Sequence, residues 1–351
     1  DTILINALLT DSNPVIVFPE GQMIKDKKLI EKGKYMVYNT GIRRPPHTGA
    51  GRIALRSQFI REELRILREK RDSQSIARLA AHFGFDPANL DQILRKETNI
   101  VPVNITYYPV RARNNAISKL VNYFIDNIPA RFEEEMQVEG AMLMDGVDID
   151  INFGKPIPMK KYITASVGVK KMLADNNLYL HPGELKYVSP FKKLYIGIMY
   201  DYMDAIYAMT TVNHDHLFSY ILAKYAKTKI CEADFKGRVF LAVEQLRASG
   251  LTNCHTTLDE KQFYLLTDDY HEKYESFIKA AVAENFITLK KGMIVKNRKR
   301  FSKKYDFHTI RRDNIIEVLK NEIEPLQNLT KALNRLMMLP DVYIRQKIRK
   351  H

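Results

Sequence analysis

Apolar and polar positions change period several times along the chain, and each change marks an element. Thr2 to Leu9 is an apolar-rich stretch that reads as a helix, closed by the turn cluster Asp11-Ser12-Asn13-Pro14. Val15-Ile16-Val17-Phe18 is an unbroken β-branched and aromatic run, the pattern of a buried strand, and it stops at Pro19-Glu20-Gly21. Residues 22–51 lose this periodicity and read as a long ordered loop, basic and glycine-containing. Helical period returns from Arg52 to Lys70 and again from Ser75 to Lys96. Ile100 to Tyr107 reads as a second buried strand, with Pro102 marking its start or an irregularity. A helix is expected over Ser118 to Ile128. Val147 to Phe153 alternates as a half-buried strand does and ends at Gly154-Lys155-Pro156. From 165 to 280 the period is mostly helical and the composition rich in Tyr, Met and Ala. Ile287 to Val295 reads as a hairpin turning at Lys291-Gly292, and Asn314 to Met338 as an amphipathic helix broken near Pro325.

These elements predict an α/β fold. Residues 1–165 are expected to form a domain with a mixed central β-sheet flanked by helices, carrying a helical insertion at 69–97. A mainly α-helical domain is expected over 166–351. Composition adds exclusions. Of 351 residues, 45% are hydrophobic and 27% charged, which rules out wholesale disorder and fibrous repeats. No apolar run approaches the roughly 18 residues of a spanning helix. Cys231 and Cys254 are too few for a disulfide scaffold or a zinc site made mainly of thiolates, and suit a reducing compartment. Asp1 and the absence of a signal-peptide pattern suggest a cut start. Charge changes the picture most. Fifty-five Lys and Arg against 41 Asp and Glu give +14, a surplus that calls for an anionic partner: nucleic acid, a membrane surface or phosphorylated substrates.

Three runs in the first 160 residues suggest where a phosphorylated small molecule would bind. A strand ending at Pro19-Glu20-Gly21 places a carboxylate at a sheet's carboxyl end, where ligands of open α/β sheets gather. The basic loop ending in Pro45-Pro46-His47-Thr48-Gly49 supplies cations for phosphate. Backbone N–H groups around Gly21 and Gly49 are candidate oxyanion donors. The strand through Val101-Pro102-Val103 is the third run.

These runs resemble motifs of the glycerophosphate acyltransferases, the family of glycerol-3-phosphate and 1-acylglycerol-3-phosphate O-acyltransferases. Phe18-Pro19-Glu20-Gly21 is similar to the family's third motif and Val101-Pro102-Val103 to its fourth. Lys27-Lys28-Leu29-Ile30, Pro46-His47-Thr48-Gly49 and Phe153-Gly154-Lys155-Pro156-Ile157 are similar to further runs of the bacterial branch, in the same order. The resemblance covers roughly residues 1–165. It implies transfer of a fatty acyl group from acyl-CoA or acyl-carrier protein to glycerol-3-phosphate or a lysophosphatidate, in phospholipid biosynthesis at the cytoplasmic side of a membrane. No metal or redox cofactor is implied, because thioester acyl transfer needs a base and an oxyanion site. Glu20 and Gly21 are implied to hold the acceptor, and Pro19 and Pro102 to shape the acyl side. The family's Thr-Arg-Ser is replaced by Gln22-Met23-Ile24. Phosphate binding is therefore expected from Lys25, Lys28, Arg43, Arg44 and His47. The family's His-x-x-x-x-Asp base motif does not precede Phe18, so the chain is expected to lack that N-terminal part and to be inactive alone.

Other motifs compete. His308 and Asp313 have the His-x-x-x-x-Asp spacing but follow the other motifs, and His255 and Asp259 have the wrong spacing. His214-Asp215-His216 is a possible metal pair but reads better as a cap or surface feature. Ser75 to Leu94, with Ala80 and Gly84, resembles a helix-turn-helix, and the 287–295 hairpin resembles the wing of a winged helix. The helix-turn-helix candidate carries Asp91 and few phosphate-binding side chains, so a helical insertion is preferred and no nucleic acid partner is expected. A non-catalytic acyltransferase homologue is the remaining alternative. The Tyr- and Met-rich stretch Tyr195 to Met209 is a candidate acyl-chain or membrane-facing surface but reads better as helical core, and the basic tail Arg345 to His351 reads as a solvated end that favours anionic lipid.

Overall fold

A computed structural model describes residues 2–21, 24–39, 42–112, 116, 123, 125, 127–174, 189–248, 253–258 and 272–349. The chain is mixed α/β and mainly helical, and its strands pair in sets of two and three. The mixed central sheet expected from the strand runs is not formed among the described residues. Two compact units share the chain. One comprises Asp1–Met23, Arg44–Val103 and Phe153–Ile206, and the other Ile24–Arg43, Asn104–Asn152 and Tyr207–His351. The boundary expected after residue 165 falls within the third stretch of the first unit.

The first unit is built around the helix Gly49–Glu69, whose buried residues include Ala54, Leu55, Phe59, Ile60, Leu64 and Leu67. Helices Thr2–Thr10, Ser73–Phe83 and Leu90–Arg95 pack on it. Gly51 is small for a reason of packing: a Cβ there would lie 2.9 Å from Ile198 Cγ2 of the helix Ser189–Ala208. Phe59 meets Phe191 of the same helix edge to face at 5.2 Å. Arg61 is fully buried and donates to the Leu8 and Ile93 carbonyls, which fastens two flanking helices to the central one. The expected helical stretch 75–96 divides at Gly84, which has φ +74 and ends Ser73–Phe83 in the left-handed conformation that glycine adopts without strain.

Val15 to Phe18 corrects the first strand expectation. These residues form no strand, and Ile16 is 81% exposed and Phe18 73%. A β-branched run becomes a buried strand only where neighbours accept its N–H and C=O groups, and no described strand pairs with it.

In the second unit the core is formed by helices His214–Lys224, Glu232–Ala248, Glu272–Ala283, Ile315–Glu322 and Gln327–Met338. Ile230, Ile287 and Ile294 join to that core a three-stranded antiparallel sheet in the order Ile287–Lys290, Met293–Lys296, Lys229–Cys231. The hairpin turns at Lys291 and Gly292, both at positive φ, as the right-handed twist of its strands favours. Helix Asp341–Ile348 crosses Glu232–Ala248 at Gly237, where a Cβ would collide with Ile348 Cδ1.

Strand Val103–Tyr108 pairs with Asp148–Phe153. It is half-buried rather than buried, and its alternation is inverted. Asn104, Thr106 and Tyr108 face inward while Val103, Ile105 and Tyr107 are exposed. The inward polar groups bond to one another: Thr106 Oγ1 donates to Asn104 Oδ1 at 2.9 Å and accepts the Thr211 N–H at 3.2 Å. The helix expected over Ser118 to Ile128 lies largely outside the described residues.

Candidate functional site

The Phe18-Pro19-Glu20-Gly21 run forms a tight turn. The Gly21 N–H donates to the Phe18 carbonyl at 3.1 Å, and Gly21 has φ +73. A Cβ at Gly21 would stand 2.8 Å from His47 Cδ2 and Nε2, so glycine is required twice, by conformation and by space. His47 is fixed from three sides. Its N–H donates to the Pro19 carbonyl at 2.9 Å, its own carbonyl accepts the Tyr202 hydroxyl at 2.7 Å, and its Nε2 lies 2.7 Å from Arg44 Nη2. Arginine has no acceptor, so Nε2 accepts in that bond. The Arg44 Nε is buried without a partner.

Thr48 follows, with no side-chain cap on the helix Gly49–Glu69 and no acidic residue in its first turn. The N–H groups of that turn have no partner within the helix, and the helix dipole adds partial positive charge there. Burial raises the Tyr202 phenol well above its ordinary range, and the Glu20 carboxylate adds to the effect. The first unit thus gathers Pro19, Glu20, Gly21, Arg44 and His47 around one helix start. The Gly21 N–H, expected as an oxyanion donor, is already bonded to Phe18. The donors that remain are those of the helix and of Arg44.

Of the other four candidates, Lys25, Lys28 and Arg43 belong to the second unit and Pro102 to the first. Lys25 is 2% exposed and its ammonium is taken up by carboxylates, Glu134 Oε2 at 2.7 Å and Glu135 Oε1 at 3.0 Å, and by the His308 carbonyl at 3.0 Å. Arg311 grips the other side of the fully buried Glu134, Nε to Oε1 at 2.9 Å. Lys25 is therefore part of a buried ion cluster in this structure. Arg43 donates to the Lys28 carbonyl at 2.6 Å and pairs with Asp26. Lys28 is exposed, and together with Arg43 it lines an open cleft. Pro102 is buried, and its carbonyl accepts the Gly154 N–H at 2.8 Å. That bond brings together two of the sequence runs, Val101-Pro102-Val103 and Phe153-Gly154-Lys155-Pro156.

The competing motifs are placed as follows. The Asp313 carboxylate bonds Thr309 and Arg312, not the His308 ring. His255 lies 3.3 Å from Asp148, and Asp259 is outside the described residues. His216 closes a capping box with Asn213: each backbone N–H donates to the other's side chain, at 3.1 and 3.2 Å. No group of three or more His, Cys, Asp or Glu suited to a metal ion occurs among the described residues. The second helix of the helix-turn-helix candidate spans only Leu90–Arg95, and its Ile93 and Leu94 are buried.

Compared with family models, with curated proteins and with solved structures, the chain matches none. Tyr202 and the segment 303–308 were missed by motif reading. Tyr202 carried no sequence signal beyond its helical period. The segment 303–308 did carry one: residues 287–305 hold eight Lys and Arg and no Asp or Glu.

Proposed function

We propose that the chain is the acceptor-binding portion of an O-acyltransferase that acylates a glycerophosphate. One observation carries this reading: Gly21 lies under His47 with Arg44 beside it, at the uncapped start of Gly49–Glu69. Such a helix start with an adjacent guanidinium suits a phosphate dianion. Glu20, next to it in the turn, is the residue we assign to the glycerol hydroxyl. In the reaction a base takes the hydroxyl proton, the oxygen attacks the thioester carbonyl, and the thiol leaves as the C–S bond breaks. The ordered series of runs in residues 1–165 supports the same reading. No base is assigned within this chain. An anionic membrane surface is the proposed location. No helix among the described residues is long and apolar enough to cross a membrane.

Isothermal titration tests the acceptor site. Glycerol 3-phosphate is expected to bind and glycerol not, and Arg44→Ala is expected to weaken binding by about tenfold or more, the worth of a charged hydrogen bond. Equal binding of the two ligands, or an unaffected Arg44→Ala, overturns the assignment. Glu20→Ala is expected to weaken glycerol 3-phosphate binding in the same titration.

A second reading is favoured by a different observation. Among the described residues, His214–Lys224, Lys229–Cys231, Glu232–Ala248, Glu272–Ala283 and the 287–296 hairpin occur in the order of a winged-helix module, and its wing bears Lys290 and Lys291. This reading is binding to a nucleic acid backbone. Against it, helix Glu272–Ala283 opens with Glu272 and Glu275, which repel phosphate where a reading helix needs donors. Duplex binding that falls steeply with salt would favour it.

A further inference from the structure

The cleft of the second unit has a volume of about 750 Å³, within the range of small-molecule sites. Its lining combines two chemistries. Lys28, Arg43, Lys303 and Lys304 are cationic, and Tyr38, Phe301, Tyr305 and Phe307 are aromatic.

The charges do not cancel within the protein. Of the three carboxylates on the wall, Asp26 pairs with Arg43, Glu317 with Lys320 at 2.6 Å, and Asp306 accepts the His308 N–H at 2.8 Å. Lys28, Lys303 and Lys304 have no carboxylate within ion-pair distance among the described residues. Asp306 accepts only a backbone N–H and keeps its charge, so three ammonium groups face one uncompensated carboxylate and leave a net positive field that an anion would relieve. The imidazole Nδ1 of His308, also on the wall, is buried with no hydrogen-bond partner. Its hydrogen-bonding capacity is unused by the protein.

The aromatic side is equally ordered. Tyr38, Phe307 and His308 pack in sequence, with ring centroids 3.9 and 3.7 Å apart. Their planes are tilted to one another by 39° and 43°, and the cluster offers rigid aromatic surface that favours a planar ring over an extended alkyl chain. A bare phosphate would meet the lysines and leave this wall uncovered.

We infer that the cleft lined by Lys28, Lys303, Lys304, His308 and the Tyr38–Phe307 ring pair binds a phosphate ester of a planar ring system, of the nucleoside monophosphate class. The lysines hold the phosphate dianion, His308 supplies a further hydrogen bond, and the ring lies against the aromatic wall. This site is distinct from the acceptor turn and does not depend on the acyltransferase reading.

Isothermal titration of the full chain with adenosine monophosphate, adenosine and inorganic phosphate tests it. Adenosine monophosphate is expected to bind at least tenfold more tightly than either of the others. The Lys303→Ala/Lys304→Ala variant is expected to lose at least tenfold in that affinity, with an unchanged circular dichroism spectrum and melting temperature. Lys303→Arg/Lys304→Arg is expected to retain most of it, and Arg44→Ala all of it. Failure of adenosine monophosphate to bind, equal binding of adenosine, equal binding of inorganic phosphate, or indifference to the alanine pair would each overturn the inference.

Discussion

Glu134 and Glu63 are both buried acidic side chains, one in each unit, and their surroundings are opposite. Glu134 is gripped by Lys25 and Arg311. Glu63, 4% exposed on the helix Gly49–Glu69, has no cation within ion-pair distance among the described residues, and burial alone pushes its carboxyl up to about 8. The cleft offers the inverse case, since Lys28, Lys303 and Lys304 are exposed cations left without carboxylates. Residue type did not decide which charges are structural and which are open to a ligand. The partners that the fold supplies did. Lys25 and Lys28 are three positions apart in one basic run, and only the second is accessible.

The sharpest way to break this contrast is Glu134→Ala. It leaves Lys25 and Arg311 buried without their shared counter-ion, and should destabilise the protein by about 3–5 kcal/mol in urea unfolding. A loss below about 1 kcal/mol would mean that the cluster is solvated. The matching experiment in the first unit is Glu63→Gln. The folded-state value of Glu63 is raised from 4.5 to about 8, so its stabilising protonated form is fully present below about 4.5. Stability is then lost as pH rises through about 8. Glu63→Gln should therefore raise the melting temperature at pH 8.5, by a stabilisation on the order of 2–4 kcal/mol, and change it little at pH 4. A variant less stable than wild type at pH 8.5 would show that Glu63 has an ionic role.

Gly21→Ala comes next. It forces a side chain into φ +73 and against the His47 ring, a cost of about 1–2 kcal/mol, and should weaken glycerol 3-phosphate binding through displacement of His47. Calorimetry and thermal unfolding on the same sample separate the two effects. Lys28→Ala is the smallest: stability within about 0.5 kcal/mol of wild type, because the side chain is exposed and only its backbone carbonyl takes part in the Arg43 contact.

Much of the local structure was legible from period and turn chemistry. The helix Gly49–Glu69, the break at Gly84, the hairpin turning at Lys291-Gly292 and the irregularity at Pro102 all follow from residues acting on their own backbone. The geometry of the candidate site was legible in part. Gly21, Arg44 and His47 do meet, but the split between Arg43 and Arg44 was not readable. Neighbouring arginines have the same intrinsic chemistry, and only long-range packing assigns them to different surroundings.

What the sequence determined by itself, then, is where elements start, stop and turn, together with the surplus of positive charge and its concentration in residues 287–305. Tertiary structure decided which face of an alternating strand turns inward. In Val103–Tyr108 the polar residues Asn104 and Thr106 are buried and the apolar ones exposed, because hydrogen-bond partners such as Thr211 arrive from more than a hundred residues away. A period of two specifies that faces differ, and only the neighbours in space specify which face is inside. The same holds for charge: a lysine is always a cation in the sequence, but whether a carboxylate waits beside it is settled when the chain has folded.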